Sequence, residues 1–130
     1  MPSRVWSHLC DYAAIDGSGK PMIIGEFDRI FAENLPVSHP IFFVIVKWEG
    51  TSQETFTRKI RITGTNRETI VESPLQTVVI QSGELSQGQH IAIDAFMMTA
   101  FKKYGEYSVE LILDNIPVHI LPLHISQLNR

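Results

Sequence analysis

A chain of 130 residues with 44% hydrophobic and 19% charged residues has the composition of an ordinary globular domain, away from the low-hydrophobicity, high-charge class of disordered chains. Its net charge of −3 argues against a general affinity for the nucleic-acid backbone, which needs a concentrated cationic face. The single cysteine, Cys10, excludes an intramolecular disulfide, and one domain of this size buries roughly two-thirds of its unfolded surface, enough for a core without metal or disulfide staples.

From the N-terminus, residues 4–15 and 20–31 flank Asp16-Gly17-Ser18-Gly19, a turn whose glycines supply positive φ at no steric cost, so the pattern predicts a hairpin. Both arms are apolar at both parities: Val5, Leu9, Ala13 and Ile15 on one, Trp6, Cys10, Tyr12 and Ala14 on the other. One face therefore packs on the core and the other is covered by a loop or a second subunit. Cys10, set among Leu9, Ala13 and Ala14, reads as a small buried residue with a reduced thiol, which favours a cytoplasmic location. Residues 32–40, with Pro36 and Pro40, read as a crossover between sheets.

Residues 41–48 form a nearly continuous apolar strand of the kind found at a central position, and Gly50-Thr51-Ser52-Gln53 turns the chain. The next strand alternates, with Phe56, Ile60 and Ile62 inward and Thr55, Thr57, Lys59, Arg61 and Thr63 outward. Arg58 is the exception on the inward parity. A turn at 64–67, a short strand at 69–72, an edge or bulge at Pro74 and a strand at 76–81 follow. Residues 82–89 are the most loop-like stretch, residues 95–103 have room for one short helical turn, and strands at 90–96, 106–113 and 116–125 complete a count of eight. In the last third, Tyr104-Gly105-Glu106-Tyr107 precedes the alternation Val109, Leu111, Leu113 and the turn Asp114-Asn115. A glycine two residues before an inward Tyr resembles the tyrosine corner of Greek-key sandwiches, in which the hydroxyl caps a loop carbonyl. The expected fold is a single all-β domain over residues 1–130, an antiparallel two-sheet sandwich of Ig-like or C2-like Greek-key type.

Leu9-Cys10-Asp11-Tyr12-Ala13, Gly19-Lys20, residues 24–31, Leu35-Pro36, His39-Pro40 and Gly105-Glu106-Tyr107 together resemble a family of small bacterial proteins catalogued only as a domain of unknown function. The resemblance implies a stand-alone β-sandwich and supplies no activity to carry over. It draws interest to Asp11, Asp28 and Arg29, which the family pattern also carries.

Those residues have a physical reading of their own. Symmetric pairing about the turn sets Asp11 opposite Ile24 or Gly25 and Asp28 opposite Ser7 or His8, inside an otherwise apolar ribbon. A charge there is costly unless paired, which makes Arg29 the natural partner of one carboxylate. The five histidines, His8, His39, His90, His119 and His124, show no HxH, HxxxH or HExxH spacing, so neither a metal site nor any cofactor is expected. Gly17-Ser18-Gly19-Lys20 lacks the upstream glycine of a phosphate loop, and no serine has the context of a nucleophile elbow. Asp11, Asp16, Asp28, Asp94 and Asp114 are too scattered for a calcium-dependent membrane module. The longest apolar run, residues 40–46, is shorter than the roughly 20 residues a membrane helix needs, and the N-terminus lacks the apolar core of an export signal. The basic cluster Arg58, Lys59, Arg61 and Arg67 reads as a solvated face with protective edge charges. The function expected is a non-enzymatic interaction or structural module. A protein partner or self-association would go through the N-terminal ribbon and the Met97-Met98 segment, with no nucleic acid and no membrane involved. The alternative is a small-ligand-binding protein or enzyme with Asp11, Asp28, Arg29 and His8 gathered in one pocket.

Overall fold

The computed structural model describes residues 2–51, 53–80 and 87–128. Ten strands lie in two sheets: β1 (Ser3–Ile15), β2 (Pro21–Glu26), β3 (Arg29–Ala32), β4 (Val37–Thr51), β5 (Thr55–Thr63), β6 (Thr69–Glu72), β7 (Gln76–Val79), β8 (Gln87–Phe101), β9 (Gly105–Leu113) and β10 (Ile116–Gln127). One sheet runs β2-β1-β4-β8 and the other β3-β10-β9-β5-β6, with β7 also paired to β5. The all-β sandwich expected from the pattern is thus present, with ten strands rather than eight.

Its local devices are those of the sequence. At the first hairpin the Asp16 carboxylate accepts hydrogen bonds from the Ser18 and Lys20 amides and the Ser18 hydroxyl, while Gly19 takes φ +86°. That is an Asx-type turn in which the side chain replaces a backbone acceptor. Asp114 and Asn115 both lie at positive φ, as a two-residue type I′ hairpin turn requires. Tyr107 is buried, and its hydroxyl donates to the Lys103 carbonyl at 2.8 Å. The ring fills the core against Phe101, and the corner forms as its glycine spacing predicts.

Three expectations are corrected. The second ribbon arm does not continue to residue 31. The chain leaves the four-stranded sheet after Glu26, adds β3 to the other sheet, and returns as β4. Its partner there is β10, in parallel, so the sandwich is not purely antiparallel. The crossover is therefore shorter than residues 32–40, since Pro40 already lies inside β4. The ladder accommodates it by skipping a step: His39 pairs with Thr99 and Ile41 with Met97, and the intervening Met98 sits at φ +54°. Finally, residues 95–103 hold no helical turn, because β8 runs on to Phe101 with that left-handed residue as its one interruption. Of the stretch read as a loop, residues 82–86 lie outside the described residues, and 87–89 already belong to β8.

The main core fills the space between the sheets. Phe42, Val44, Val46 and Trp48 of β4 and Ala92 and Phe96 of β8 meet Phe56, Ile60 and Ile62 of β5 and Val109, Leu111 and Leu113 of β9. Arg58 shares the inward parity, as the sequence indicates, and the structure supplies its counter-charge. Its Nη1 donates to Asp94 Oδ2 at 2.7 Å and its Nη2 to Gln76 Oε1 at 2.6 Å, with side-chain exposures of only 7% and 9% for the two ions. The pair joins β5 of one sheet to β8 of the other.

Removing one partner of a buried pair leaves the other charge stranded, at a cost of about 3–5 kcal/mol, whereas replacing both with apolar residues of similar size is often nearly neutral. Asp94→Ala is expected to lower the urea midpoint sharply. Arg58→Met with Asp94→Leu should recover most of the loss, and equal destabilisation in the single and double variants would argue against a stranded charge as the cause.

Candidate functional site

Two places in the fold collect chemistry-bearing or outward-facing apolar side chains. The first is a cleft of about 310 Å³ at one end of the sandwich, where Asp11 of β1, Arg29 of β3, His39 of β4 and Phe27 line a common wall. Strand pairing about the first turn brings Asp11 opposite Gly25, in agreement with the expected register. Gly25 adopts φ +69°, and a Cβ there would lie 2.4 Å from the Asp11 carboxylate. The positive φ favours glycine, and with no Cβ there the carboxylate rests directly against the β2 backbone.

Of the four candidates, Asp11 and Arg29 are brought together and the other two are not. Asp28 sits in the crossover, beyond the last ribbon hydrogen bond from the Phe27 amide to the Leu9 carbonyl. It lines a separate hollow with Glu26 and Phe27. His8 projects from the opposite face of β1 and hydrogen-bonds Glu26. Nor are the charges enclosed in an apolar ribbon: Asp11, Asp28 and Arg29 are exposed, and Arg29 donates to the Ser126 hydroxyl at 2.6 Å. No ion pair joins Arg29 to either carboxylate. The pairing requirement lapses because solvent reaches all three groups. His39, within the stretch 32–40 read as a crossover, joins Asp11 and Arg29 from β4. Burial pulls its pKa below the usual imidazole value, with the Asp11 charge acting in the opposite sense. Plain alternation would turn His39 away from core-facing Phe42, three residues on; the break in the ladder at Pro40 and Met98 reverses that, and its ring contacts Phe42.

The second place is the outer face of the four-stranded sheet. Since Phe42, Val44 and Val46 face the other sheet, alternation turns Ile41, Phe43, Ile45 and Lys47 away from it. Their cross-strand partners share that face: Trp6, His8 and Cys10 on β1, and Ile91, Ile93, Ala95 and Met97 on β8. Cys10 and Ile45 anchor an apolar cluster with Trp6, Phe43, Ile91 and Ile93 packed around them, and Tyr12 meets Phe43 edge to face. Burial raises the Cys10 thiol above its ordinary pKa, the inert form of a cysteine. Around the cluster Tyr12, Ile24, Ile41 and Met97 remain exposed.

The remaining ionisable groups are largely committed to structure. Arg61 grips Glu110 through Nε and Nη2, and Lys59 pairs with Glu72. With Arg58 held by Asp94, three of the four clustered cations have acidic partners within the chain. Among the described residues no group of three His, Cys, Asp or Glu side chains is arranged to hold a metal ion, and no helix is long and apolar enough to cross a membrane. His90 lies near Arg58, and its ring meets Phe56. Its Nε2, the Trp48 Nε1 and the Arg58 Nε are buried without a hydrogen-bond partner among the described residues.

These features define a two-sheet β-sandwich that carries an apolar outer sheet face and a small charged cleft. The chain belongs to the family of unknown function DUF6941, whose model matches residues 5–126; the resemblance read from the sequence was to such a family. No curated protein and no solved structure matches the chain.

Desolvation first, and the Arg58 charge second, hold the His90 pKa below its ordinary value. The folded protein therefore resists a proton that the unfolded chain accepts once pH drops below about 6.5. Stability is expected to be fully present above that pH and to decline as pH falls towards the depressed folded value. His39 and His119 shift in the same direction. Urea midpoints measured between neutral and mildly acidic pH should fall, and His90→Gln should flatten part of that slope; an unchanged slope in the variant would exclude His90 as a contributor.

Proposed function

We propose that the protein is a non-enzymatic interaction module that buries the outer face of its four-stranded sheet against a second copy of itself. The observation that carries this reading is the failure of polar alternation on that face. An antiparallel sheet with one solvated side ordinarily shows a polar residue at every second position. Here β4 and β8 turn Ile41, Phe43, Ile91, Ile93 and Met97 outward around Ile45, which these neighbours bury. Contiguous apolar patches of this kind mark contact surfaces on folded proteins. Lys47 and the His8–Glu26 pair add polar groups to the same face, with His8 beside Ile45, as protein interfaces combine apolar and polar contacts. Four strands at about 4.8 Å spacing make a face roughly 19 Å wide, flat enough for sheet-on-sheet packing.

Sedimentation velocity over a micromolar concentration series tests the assignment. The parent chain is expected to associate, and Ile93→Lys, a change at a half-buried outward position, should give a folded monomer with an unaltered circular dichroism spectrum. A parent chain that stays monomeric throughout the series would overturn the proposal.

A small-ligand site is the second reading, favoured by the opposite charges of Asp11 and Arg29 in one cleft with His39. Such a wall suits a small molecule that carries both an amine and an acid. Thermal shift against a panel of free amino acids should then show stabilisation that Asp11→Asn and Arg29→Gln both remove. Stabilisation that survives either change, or none in the parent, would eliminate this use of the cleft.

A further inference from the structure

The sandwich has a third surface, which adjoins the outer face at Met97 and is separate from the charged cleft, and neither of the readings above is needed to define it. Along the edge where β8 of one sheet approaches β6 of the other runs a groove of about 460 Å³. Its apolar wall is Ile70, Val71, Met97, Met98 and the Tyr107 ring, and Lys102 and Lys103 are also in its lining. Both flanking strands are edges. Among the described residues β8 pairs only with β4, and β6 only with β5, so each carries a row of main-chain donors and acceptors that no neighbouring strand uses. A free edge beside an apolar groove is the geometry by which folded domains add an extended peptide as an extra strand.

Met98 sets the character of this edge. Its φ of +54° breaks the alternation of β8, so that Met97 and Met98, adjacent in sequence, are both exposed, at 71% and 64%. Methionine pairs of this kind make adaptable contact material. The same irregularity stops a long, flat edge from pairing indefinitely with another, which restricts the edge to short segments. The charges are asymmetric. Lys102 and Lys103 are exposed and form no ion pair among the described residues, whereas Glu68, the acid in the groove, accepts the Asn66 amide within its own turn.

We propose that this groove binds a short extended segment of another protein, laid along the free edge of β8 with apolar side chains at alternate positions in the groove and an acidic side chain against Lys102 and Lys103. Charge complementarity selects the acidic group, and the apolar lining selects its neighbours.

A random dodecapeptide display library panned against the parent protein tests it. Enriched sequences are expected to carry two apolar residues at alternate positions beside Asp or Glu. Two variants locate the binding. Met98→Asn removes the apolar side chain while tolerating positive φ, and the double charge reversal Lys102→Glu with Lys103→Glu changes only exposed side chains. Each should weaken a synthetic copy of the selected peptide at least about tenfold in fluorescence anisotropy, the first through loss of an apolar contact and the second through repulsion of the acidic side chain. No enrichment, or peptides that bind both variants as they bind the parent, would overturn the proposal. So would a self-associating parent whose association is lost in Met98→Asn, since the groove would then be a contact between copies. Sedimentation of Ile93→Lys reports on the outer face separately, so that each idea fails on its own evidence.

Discussion

The stacking of the two sheets turns on the pair between Arg58 and Asp94. Apolar side chains tolerate some sliding of one sheet over another, because any hydrophobic neighbour of suitable size will serve. A guanidinium and a carboxylate in a core do not: each is strongly unfavourable away from the other, and a displacement of one residue pair would strand both. The contact spans strands in different sheets, and Gln76 of β7 takes up a second face of the guanidinium. With that relation fixed, Trp48, Phe56 and His90 fall into ring contact, and β8 lies at the sheet edge with its groove towards β6. Trp48 Nε1, Arg58 Nε and His90 Nε2, buried without a hydrogen-bond partner among the described residues, cluster near this node.

What the sequence made legible was local. The first hairpin turn, the tyrosine corner and the inward-facing arginine each depend on residues within a few positions of one another, and each appears as read. The features that escaped depend on distant partners. β3 is four residues long and finds its parallel neighbour β10 nearly a hundred positions away, which no short pattern reports. Pro40 looked like a strand breaker because the residue that excuses it, Met98, belongs to another strand. The same distinction holds for the candidate sites. Asp11 and Asp28 read as charges inside an apolar ribbon with Arg29 as the partner of one; Asp11 and Arg29 do line one cleft, but the crossover after Glu26 removes Asp28. The facing of β1 removes His8, and His39 joins from a strand that the ribbon argument did not include.

Strand β8 serves the whole molecule. Ala92, Asp94 and Phe96 point into the main core, Ile91, Ile93 and Met97 line the outer face, and the free edge borders the groove. Two apolar surfaces therefore meet at its C-terminal half, with Met97 contributing to both. Contacts made at one surface act on the same backbone as contacts made at the other.

The skipped rung between β4 and β8 has a consequence for how this chain can vary. Proline at 40 and a left-handed residue at 98 are compatible because each occupies the step at which the other contributes nothing to the ladder. Change Met98 to a β-branched residue, which resists positive φ, and the two strands gain a rung that Pro40 cannot donate to; change Pro40 alone, and an amide is added opposite a gap. The two positions are thus expected to drift as a couple across related chains, with glycine or asparagine the substitutes most easily admitted at 98.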